Sequence, residues 1–208
     1  VLGDVSGLLA IAEAASVIRR GWADVMLAGG TGNRLHPAAL AARGDALLSH
    51  RRDDCTRASR PFDVDRDGLV NGEGAGIVVL ESLDHARARG ARVRARLLAT
   101  ASRCEPATDG ATLTGNALRR AIRAVLDRTG WGPGSVGHVN AHGLSTREMD
   151  RIEATAIAAE LGTVPVTAPK GVFGHLGAGG GAVELAASVL AFESGLVPPT
   201  ANHEATDP

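Results

Sequence analysis

Two histidines stand at positions where α/β proteins often carry reactive side chains. His142 directly follows the apolar segment 136–141, within the sequence Asn-Ala-His-Gly at 140–143. Ligands bind at the carboxyl ends of parallel strands, so a histidine at this point is well placed for proton transfer or hydrogen bonding to a substrate. A turn histidine that merely closes the strand is an equally good interpretation from position alone.

The second histidine, His175, lies in the glycine-rich segment 170–181. Such a segment could cradle a phosphate group with its backbone N–H groups. It lacks the Gly-Lys-Ser/Thr ending of a P-loop, however, and also the spacing and acidic partner of a dinucleotide-binding motif. Close packing of a helix start against a neighbouring strand is therefore the favoured interpretation of these glycines.

The remaining reactive side chains have ordinary interpretations when each is taken alone. Asp4 precedes the first predicted helix and suits the role of its N-cap. Asp150 and Glu153 lie near the start of another predicted helix, where acids favour the helix dipole. Neither Cys55 nor Cys104 lies beside a histidine or at an obvious helix start, so neither is predicted to be an activated thiol. The seven histidines show no metal-ligand spacing with cysteine or carboxylate, so no metal site is predicted.

Hydrophobic periodicity predicts the elements that must position these side chains. The predicted helices cover about 5–20, 37–42, 83–89, 111–128, 149–161 and 181–193. The predicted strands cover 24–30, 76–81, 93–102, 136–141 and 164–167. Short apolar strands that alternate with helices predict an α/β fold with parallel pairing and helices on both faces of the sheet. A change in composition near 105–110 indicates a seam between two similar halves.

Composition and charge exclude several classes of function. The chain has 208 residues, a net charge of -1 and arginines that stand beside acids, which gives no electrostatic case for nucleic acid or an anionic membrane. No apolar run approaches the roughly 20 residues that span a bilayer. Two cysteines cannot build a disulfide framework and fit a reducing, cytoplasmic compartment. The 27 glycines and the 2% aromatic content predict tight turns and argue against stacking surfaces for bases.

Several blocks along the chain together form a specific pattern. They are Ala-Asp-Val-Met-Leu-Ala-Gly-Gly at 23–30, Ser-Arg-Pro-Phe-Asp at 59–63, the glycine-rich block at 67–76, Val-Asn-Ala-His-Gly at 139–143, Asp150 with Glu153, Lys-Gly-Val-Phe-Gly-His at 170–175, and Val-Pro-Pro-Thr at 197–200. In this order the blocks resemble the β-ketoacyl-[acyl carrier protein] synthases. The resemblance implies a thiolase-like fold, a duplicated five-layered α/β/α/β/α arrangement that is usually dimeric. It also implies that the chain is incomplete at both ends, with 1–104 in the N-terminal half and 105–208 in the C-terminal half.

The resemblance further implies acyltransferase chemistry in fatty acid or polyketide biosynthesis. In that family a cysteine takes an acyl group from a carrier protein, and two histidines assist the decarboxylative Claisen condensation that follows. The substrates travel on the phosphopantetheine arm of acyl carrier protein, and no separate cofactor is expected. Family roles carry over to the catalytic histidines His142 and His175, their supporting Lys170 and Glu153, and the substrate contacts Thr146 and Phe173.

The nucleophile position is where this sequence departs most from the family. Counting back from Gly29-Gly30 without gaps, the family's cysteine falls on Asp4. An acyl-aspartate would be a mixed anhydride and far more labile than a thioester, so condensation is in doubt. An ionised Asp4 about 4 Å from a malonyl carboxylate would repel it by ~4 kcal/mol at an effective dielectric of 20, whereas a protonated Asp4 would donate a hydrogen bond to it. A second departure is Leu144, where the family usually has a threonine that contacts pantetheine.

Two functions follow from this pattern. Retention of His142, His175 and Lys170 keeps decarboxylation of a malonyl thioester available, because that step needs hydrogen-bond donors and no cysteine. Loss of the cysteine also fits a non-catalytic subunit that resembles a chain-length factor. The expected partners are acyl carrier protein and either a second copy of the chain or a cysteine-bearing synthase.

Overall fold

Apolar periodicity and glycine caps define most elements in the computed structural model, which describes residues 3–106 and 113–207. The helices are α1 (Ser6–Arg19), α2 (Pro37–Arg43), α3 (Leu83–Ala88), α4 (Asn116–Thr129), α5 (Arg147–Leu161), α6 (Lys170–Phe173) and α7 (Gly180–Ser194). The strands are β1 (Val25–Asn33), β2 (Glu73–Glu81), β3 (Val139–Asn140) and β4 (Val166–Thr167). Short 3-10 turns occur at Gly3–Val5, Cys55–Arg57, Pro133–Ser135 and Gly177–Gly179.

The chain forms two units, each assembled from three segments. The first unit comprises Val1–Ala46, Asn71–Leu97 and Phe173–Leu196. The second unit comprises Leu47–Val70, Leu98–Val172 and Val197–Pro208. The predicted boundary between residues 104 and 105 concerns the halves of the family fold, and it stays a prediction.

In the first unit, β1 and β2 pair along their whole length, with Val25 opposite Glu81 and Asn33 opposite Glu73. The pairing is antiparallel, so the prediction of parallel strands is wrong here. The sequence pattern could not reveal this, because apolar alternation reports which face of a strand is buried and not the direction of its neighbour.

Helices α1 and α7 cover one face of this two-stranded sheet. The small core between them consists of Ile11, Ala14, Ala28 and Ala182, each at most 8% exposed. The opposite face remains exposed within the described residues, and it carries Val25, Leu27, Ile77 and Val79. The prediction of helices on both faces is therefore wrong for this sheet in the part of the chain that the structure describes.

The second unit contains α4, α5 and the short parallel pair β3–β4, in which Val139 lies opposite Val166. The ladder continues one step further, because the backbone N–H of Ala141 donates to the carbonyl oxygen of Thr167. Parallel pairing is therefore confirmed for these two strands, although each is only two residues long. The ladder ends directly before His142, as the sequence predicts.

The predicted helices at 5–20, 37–42, 83–89, 149–161 and 181–193 are confirmed to within two residues at either end. Helix α4 begins at Asn116, after the left-handed Gly115, and the earlier part of the predicted helix includes residues 111–112, which lie outside the described residues. The predicted strand at 93–102 is wrong. This segment forms no ladder with any described residue, and charged residues such as Arg94, which pairs with Glu193, interrupt its apolar pattern. No helix of the described residues is both long and apolar enough to cross a membrane.

Candidate active site

His142 sits in a turn whose backbone is held by two carboxylates from α5. Glu153 accepts hydrogen bonds from the backbone N–H of His142 at 2.7 Å and of Gly143 at 2.8 Å. Asp150 accepts from Leu144 at 2.9 Å and from Ser145 at 3.0 Å. Four successive N–H groups are thus satisfied by side chains one helical turn apart, which fixes the turn and with it the position of the histidine.

The turn also depends on unusual backbone conformations. Gly143 has a φ of 45° and Ser145 a φ of 66°. A Cβ at Gly143 would lie 2.6 Å from the Cβ of Ala168, so glycine is required there by space as well as by backbone angle. Ser145 bears the strain of a left-handed non-glycine residue, and its hydroxyl accepts a hydrogen bond from the backbone N–H of Arg60.

Lys170, the first residue of α6, binds the same turn from a second direction. Its Nζ donates to the His142 carbonyl oxygen at 2.7 Å and lies 3.2 Å from His142 Nδ1. An ammonium group can only donate, so with Lys170 charged this pairing makes Nδ1 the acceptor and puts the ring proton of His142 on Nε2. The side chain of Lys170 is buried, whereas His142 is exposed. Lys170 therefore holds His142 in place and leaves its Nε2–H as a hydrogen-bond donor.

Lys170 carries a further sequence signal. The chain has 22 basic residues, and all of them except Lys170 are arginine. Arginine presents a large planar fork, whereas lysine presents a compact ammonium with three rotatable donors. The use of lysine at this one buried position therefore indicates that a compact donor is required there.

Burial changes the proton affinity of both α5 carboxylates. It raises the pKa of Glu153, against the opposing effect of the N–H donors of Gly143 and His142. Burial also raises the pKa of Asp150, although hydrogen bonds from Phe62, Leu144 and Ser145 and the charge of Arg66 oppose the shift. The position of Asp150 near a helix start predicts a helix-dipole role, and its pairing with Glu153 is part of the family resemblance, but its three backbone contacts are visible only in the folded chain.

In the first unit, Asp4 contacts Arg34 and His175. One carboxylate oxygen accepts a hydrogen bond from the Arg34 guanidinium, and the other lies 3.1 Å from Nε2 of His175. A carboxylate only accepts, so with Asp4 ionised His175 carries its proton on Nε2. The predicted N-cap role of Asp4 is wrong, since Val5 precedes α1 and its side chain makes no capping bond. Asp4 is ion-paired instead, and Arg34 is a member of this cluster that sequence reasoning missed.

Close packing of glycine backbones brings His175 to Asp4. A Cβ at Gly32 would lie 1.9 Å from the carbonyl oxygen of Leu176, and one at Gly30 would lie 2.4 Å from that of Ala178. The backbone of His175 also pairs with the segment just before β2, because its carbonyl oxygen accepts from the N–H of Gly72 at 3.0 Å. Within the glycine-rich segment itself, a Cβ at Gly179 would lie 2.4 Å from the carbonyl oxygen of Gly74, which confirms close packing, the favoured interpretation of these glycines.

Buried ionic contacts support the His142 turn from the segment 59–66. Arg60 and Asp63 form an ion pair at 2.9 Å, and their side chains are 2% and 0% exposed. Burial opposes ionisation of Asp63, but hydrogen bonds from Ala205, Glu204, Asp65 and Arg60 together hold its pKa well below its usual range. Arg66 donates to the carbonyl oxygens of Thr146 and Arg147. Residues 59–63 carry part of the family resemblance, and their sequence alone predicts none of these contacts.

The structure brings the predicted residues into two groups. Asp4 and His175 meet in the first unit, whereas His142, Lys170 and Glu153 meet in the second. Thr146 is buried, and its hydroxyl has no hydrogen-bond partner among the described residues, while Phe173 is partly exposed at the end of α6. Both predicted substrate contacts stay predictions. Within residues 3–106 and 113–207, no group of three His, Cys, Asp or Glu side chains could hold a metal ion.

Comparison with known families agrees with this architecture. Residues 4–86 match the family model of the β-ketoacyl synthase N-terminal domain, and residues 94–204 match that of the C-terminal domain. The chain therefore belongs to the β-ketoacyl synthase family, and its fold is thiolase-like.

Individual relatives come from fatty acid and polyketide biosynthesis. The chain is 40% identical to 3-oxoacyl-[acyl-carrier-protein] synthase 2 of Synechocystis sp. over 98% of its own length and 50% of that protein. It is 41% identical to the tetracenomycin polyketide synthase ketoacyl synthase alpha subunit of Streptomyces glaucescens, over 99% of its length and 50% of the relative. The chain thus spans about half the length of these curated relatives.

Two solved structures are similar over nearly the whole chain. One is a type II polyketide ketosynthase in complex with its acyl-carrier protein, with a TM-score of 0.92, 36% identity and coverage of 100% of this chain and 52% of that one. The other is the ishigamide ketosynthase/chain length factor, with a TM-score of 0.86, 36% identity and coverage of 99% and 50%.

Proposed function

We propose that the full-length protein removes CO2 from a malonyl group carried as a thioester on the phosphopantetheine arm of an acyl carrier protein. The observation that carries this proposal is the commitment of Asp4 to an ion pair with Arg34 at the position that the family resemblance assigns to the nucleophile. A carboxylate held in this way is no acceptor for a stable acyl group. Decarboxylation, in contrast, needs no covalent intermediate.

The proposed step breaks the bond between the malonyl carboxyl carbon and the methylene carbon. The electron pair of that bond passes to the methylene carbon and the thioester carbonyl oxygen as an enolate, and CO2 leaves. A proton from solvent then converts the enolate carbon to the methyl group of an acetyl thioester. Hydrogen bonds to the developing oxyanion are the main stabilising contribution that a protein can offer.

His142 is the best-supported donor for this oxyanion. Its backbone is fixed by Glu153, and the contact of its Nδ1 with a charged Lys170 Nζ leaves the ring proton on Nε2. His175, in the first unit, keeps the catalytic role that the family resemblance gives it, and its Nε2 also carries a proton when it faces an ionised Asp4 carboxylate. Asp4 and the thioester oxygen would compete for this proton, so Asp4 must give up the contact during the reaction.

The proposal also covers partners and location. Acyl carrier protein is the proposed partner that delivers the substrate, and assembly is as a homodimer or with a cysteine-bearing synthase. The two exposed, unpaired cysteines, Cys55 and Cys104, fit a reducing cytoplasm. No cofactor takes part in the proposed step.

The test is direct conversion of malonyl carrier protein by the full-length protein. Mass spectrometry of the carrier should show acetyl carrier protein, and trapped CO2 should match it in amount. The control is the double variant His142→Ala/His175→Ala. Product formation no faster than in this control would refute the proposal.

A non-catalytic subunit, similar to a chain-length factor, is the second candidate. It is favoured by the engagement of His175 Nε2 with Asp4, which withdraws one donor from any substrate. In that case the protein should co-purify with a cysteine-bearing synthase, and that synthase should lose activity when its partner is absent. A lone homodimer that decarboxylates malonyl carrier protein would exclude this function.

A further inference from the structure

We propose that Arg34 determines whether a carboxylate-bearing acyl group can enter the Asp4–His175 site, because it cancels the charge of Asp4. This inference rests on the proposed function, since it concerns the malonyl substrate of that same site. The two oxygens of the Asp4 carboxylate face Arg34 and His175.

An uncompensated carboxylate at this position would reject the proposed substrate. Asp4 lies 3.1 Å from His175, one of the two donors that the malonyl thioester must reach. The carboxylate of the substrate and that of Asp4 would then repel each other in a partly buried site, where screening by solvent is reduced. With the Arg34 guanidinium on Asp4, the pair has no net charge and the repulsion is cancelled.

The surroundings of Arg34 indicate a functional contact more than a stabilising one. Its side chain is only 8% exposed, yet its Nε has no hydrogen-bond partner among the described residues. The Asp4 side chain is 37% exposed, and ion pairs that reach solvent contribute little to stability, whereas an unsatisfied buried N–H opposes folding. A Cβ at Gly177 would lie 3.0 Å from this Nε, so the left-handed glycine at φ 62° leaves room for the guanidinium.

When His175 donates its hydrogen bond to the substrate, the Asp4 carboxylate still has its contact with the Arg34 guanidinium. An arginine keeps its charge throughout the accessible pH range, so it holds the carboxylate without a proton of its own being lost. Arg34 is therefore a specificity-determining residue that acts through Asp4, and it does not itself take part in proton transfer.

Four full-length proteins test this inference: wild type, Arg34→Gln, Asp4→Asn and the double variant. Each is titrated with a malonyl pantetheine analogue in which an amide replaces the thioester, and with its neutral carboxamide isostere. The amide slows loss of CO2 because it stabilises the enolate less than a thioester does. If charge decides entry, affinity for the malonyl probe follows the net charge of the pair. Asp4→Asn should bind most tightly, wild type and the double variant similarly, and Arg34→Gln at least tenfold more weakly than wild type.

The carboxamide probe separates this effect from a loss of structure. It should bind all four proteins within threefold, and Arg20→Gln, which removes an exposed arginine paired with Glu13, should change neither probe. Three results would overturn the inference. The double variant could bind the malonyl probe as weakly as Arg34→Gln does, or the carboxamide could show the same order of affinities. The third result is that wild type does not bind the malonyl probe. If the four proteins follow the predicted order of affinities but wild type releases no CO2 from malonyl carrier protein, the proposed function alone is refuted.

Discussion

Lys170 Nζ contacts His142 at two atoms, the carbonyl oxygen at 2.7 Å and Nδ1 at 3.2 Å. One contact fixes the backbone of the turn and the other fixes the tautomer of the ring. The same side chain is the sole lysine in a sequence of 208 residues. Lys170 therefore adds to the contacts of Glu153 and Asp150 that position the turn, and when charged it also selects the tautomer of the histidine ring.

Replacement of this group should lower activity without abolishing folding. Lys170→Met keeps the length of the side chain but donates to neither atom, so His142 loses its preference for the Nε2–H tautomer. We expect the rate of acetyl carrier protein formation to fall by roughly tenfold or more, because a histidine in the wrong tautomer cannot donate. Arg151→Met, which removes an exposed positive charge from α5, is the matched control. Equal rates for Lys170→Met and wild type would show that Lys170 has no role in the reaction.

Glu153→Gln should disturb the turn that carries His142. The carboxylate accepts two backbone N–H bonds, whereas an amide offers one oxygen and turns its NH2 toward the other donor. A buried N–H without a partner should lower the free energy of unfolding by about 1–3 kcal/mol. Urea denaturation measures this loss, and Glu148→Gln in the exposed first turn of α5 should leave the midpoint unchanged. A Glu153→Gln midpoint equal to that of the control would contradict the assigned role.

Asp63→Asn should be the most destabilising of these variants. It leaves the buried Arg60 only its longer contact with Glu204, at 3.7 Å, and loss of one member of a buried pair costs about 3–5 kcal/mol. Asp65→Asn, an exposed neighbour, serves as the control in the same denaturation experiment. A loss no larger than that of the control would mean that the ion pair contributes nothing to stability.

The Asp63 carboxylate should make the stability of the wild-type protein depend on pH in the acidic range. Its pKa is lowered in the folded chain, so its contribution to stability is full above the unfolded-state value of about 4 and is lost as the pH falls further. Wild-type stability should therefore decline below pH ~4 more steeply than that of Asp63→Asn. Parallel declines of the two proteins would show that Asp63 does not supply this sensitivity.

Gly32→Ala should displace the segment that bears His175. The added Cβ would lie 1.9 Å from the carbonyl oxygen of Leu176, which is backbone and cannot rotate away. We expect a loss of about 1–3 kcal/mol in the free energy of unfolding and a weaker contact between His175 and Asp4. Gly132→Ala is the control, because nothing lies within 4 Å of its Cβ. Wild-type stability of Gly32→Ala would contradict the close packing described for the glycine-rich segment.

Asp4→Cys should restore a reactive nucleophile. The thiol would lie beside Arg34 and near the start of α1, and both favour the thiolate. We expect this cysteine to react with iodoacetamide at least tenfold faster than Cys55 or Cys104, and to form an acyl-enzyme with acetyl carrier protein. The protein with Asp4→Ser is the control for changes in access. A thiol as slow as the two natural cysteines would show that residue 4 does not occupy the nucleophile position.

Local sequence determined most of the helices and the placement of His142. Apolar periodicity gave α1, α5 and α7, and a strand of buried residues predicted that the chain would turn at His142. These features depend on residues within a few positions of one another, where spacing alone decides which side chains share a face.

The partners of the reactive side chains were decided by tertiary structure. Asp4 meets Arg34 across 30 residues and His175 across 171, and neither contact has a local signature. The antiparallel direction of β1 and β2 and the absence of the predicted strand at 93–102 have the same origin, because strand pairing depends on which distant segment supplies the hydrogen bonds. The sequence by itself determined which residues could do chemistry, and the fold decided that Asp4 would be a charge-compensated carboxylate, since only folding brings a guanidinium to it.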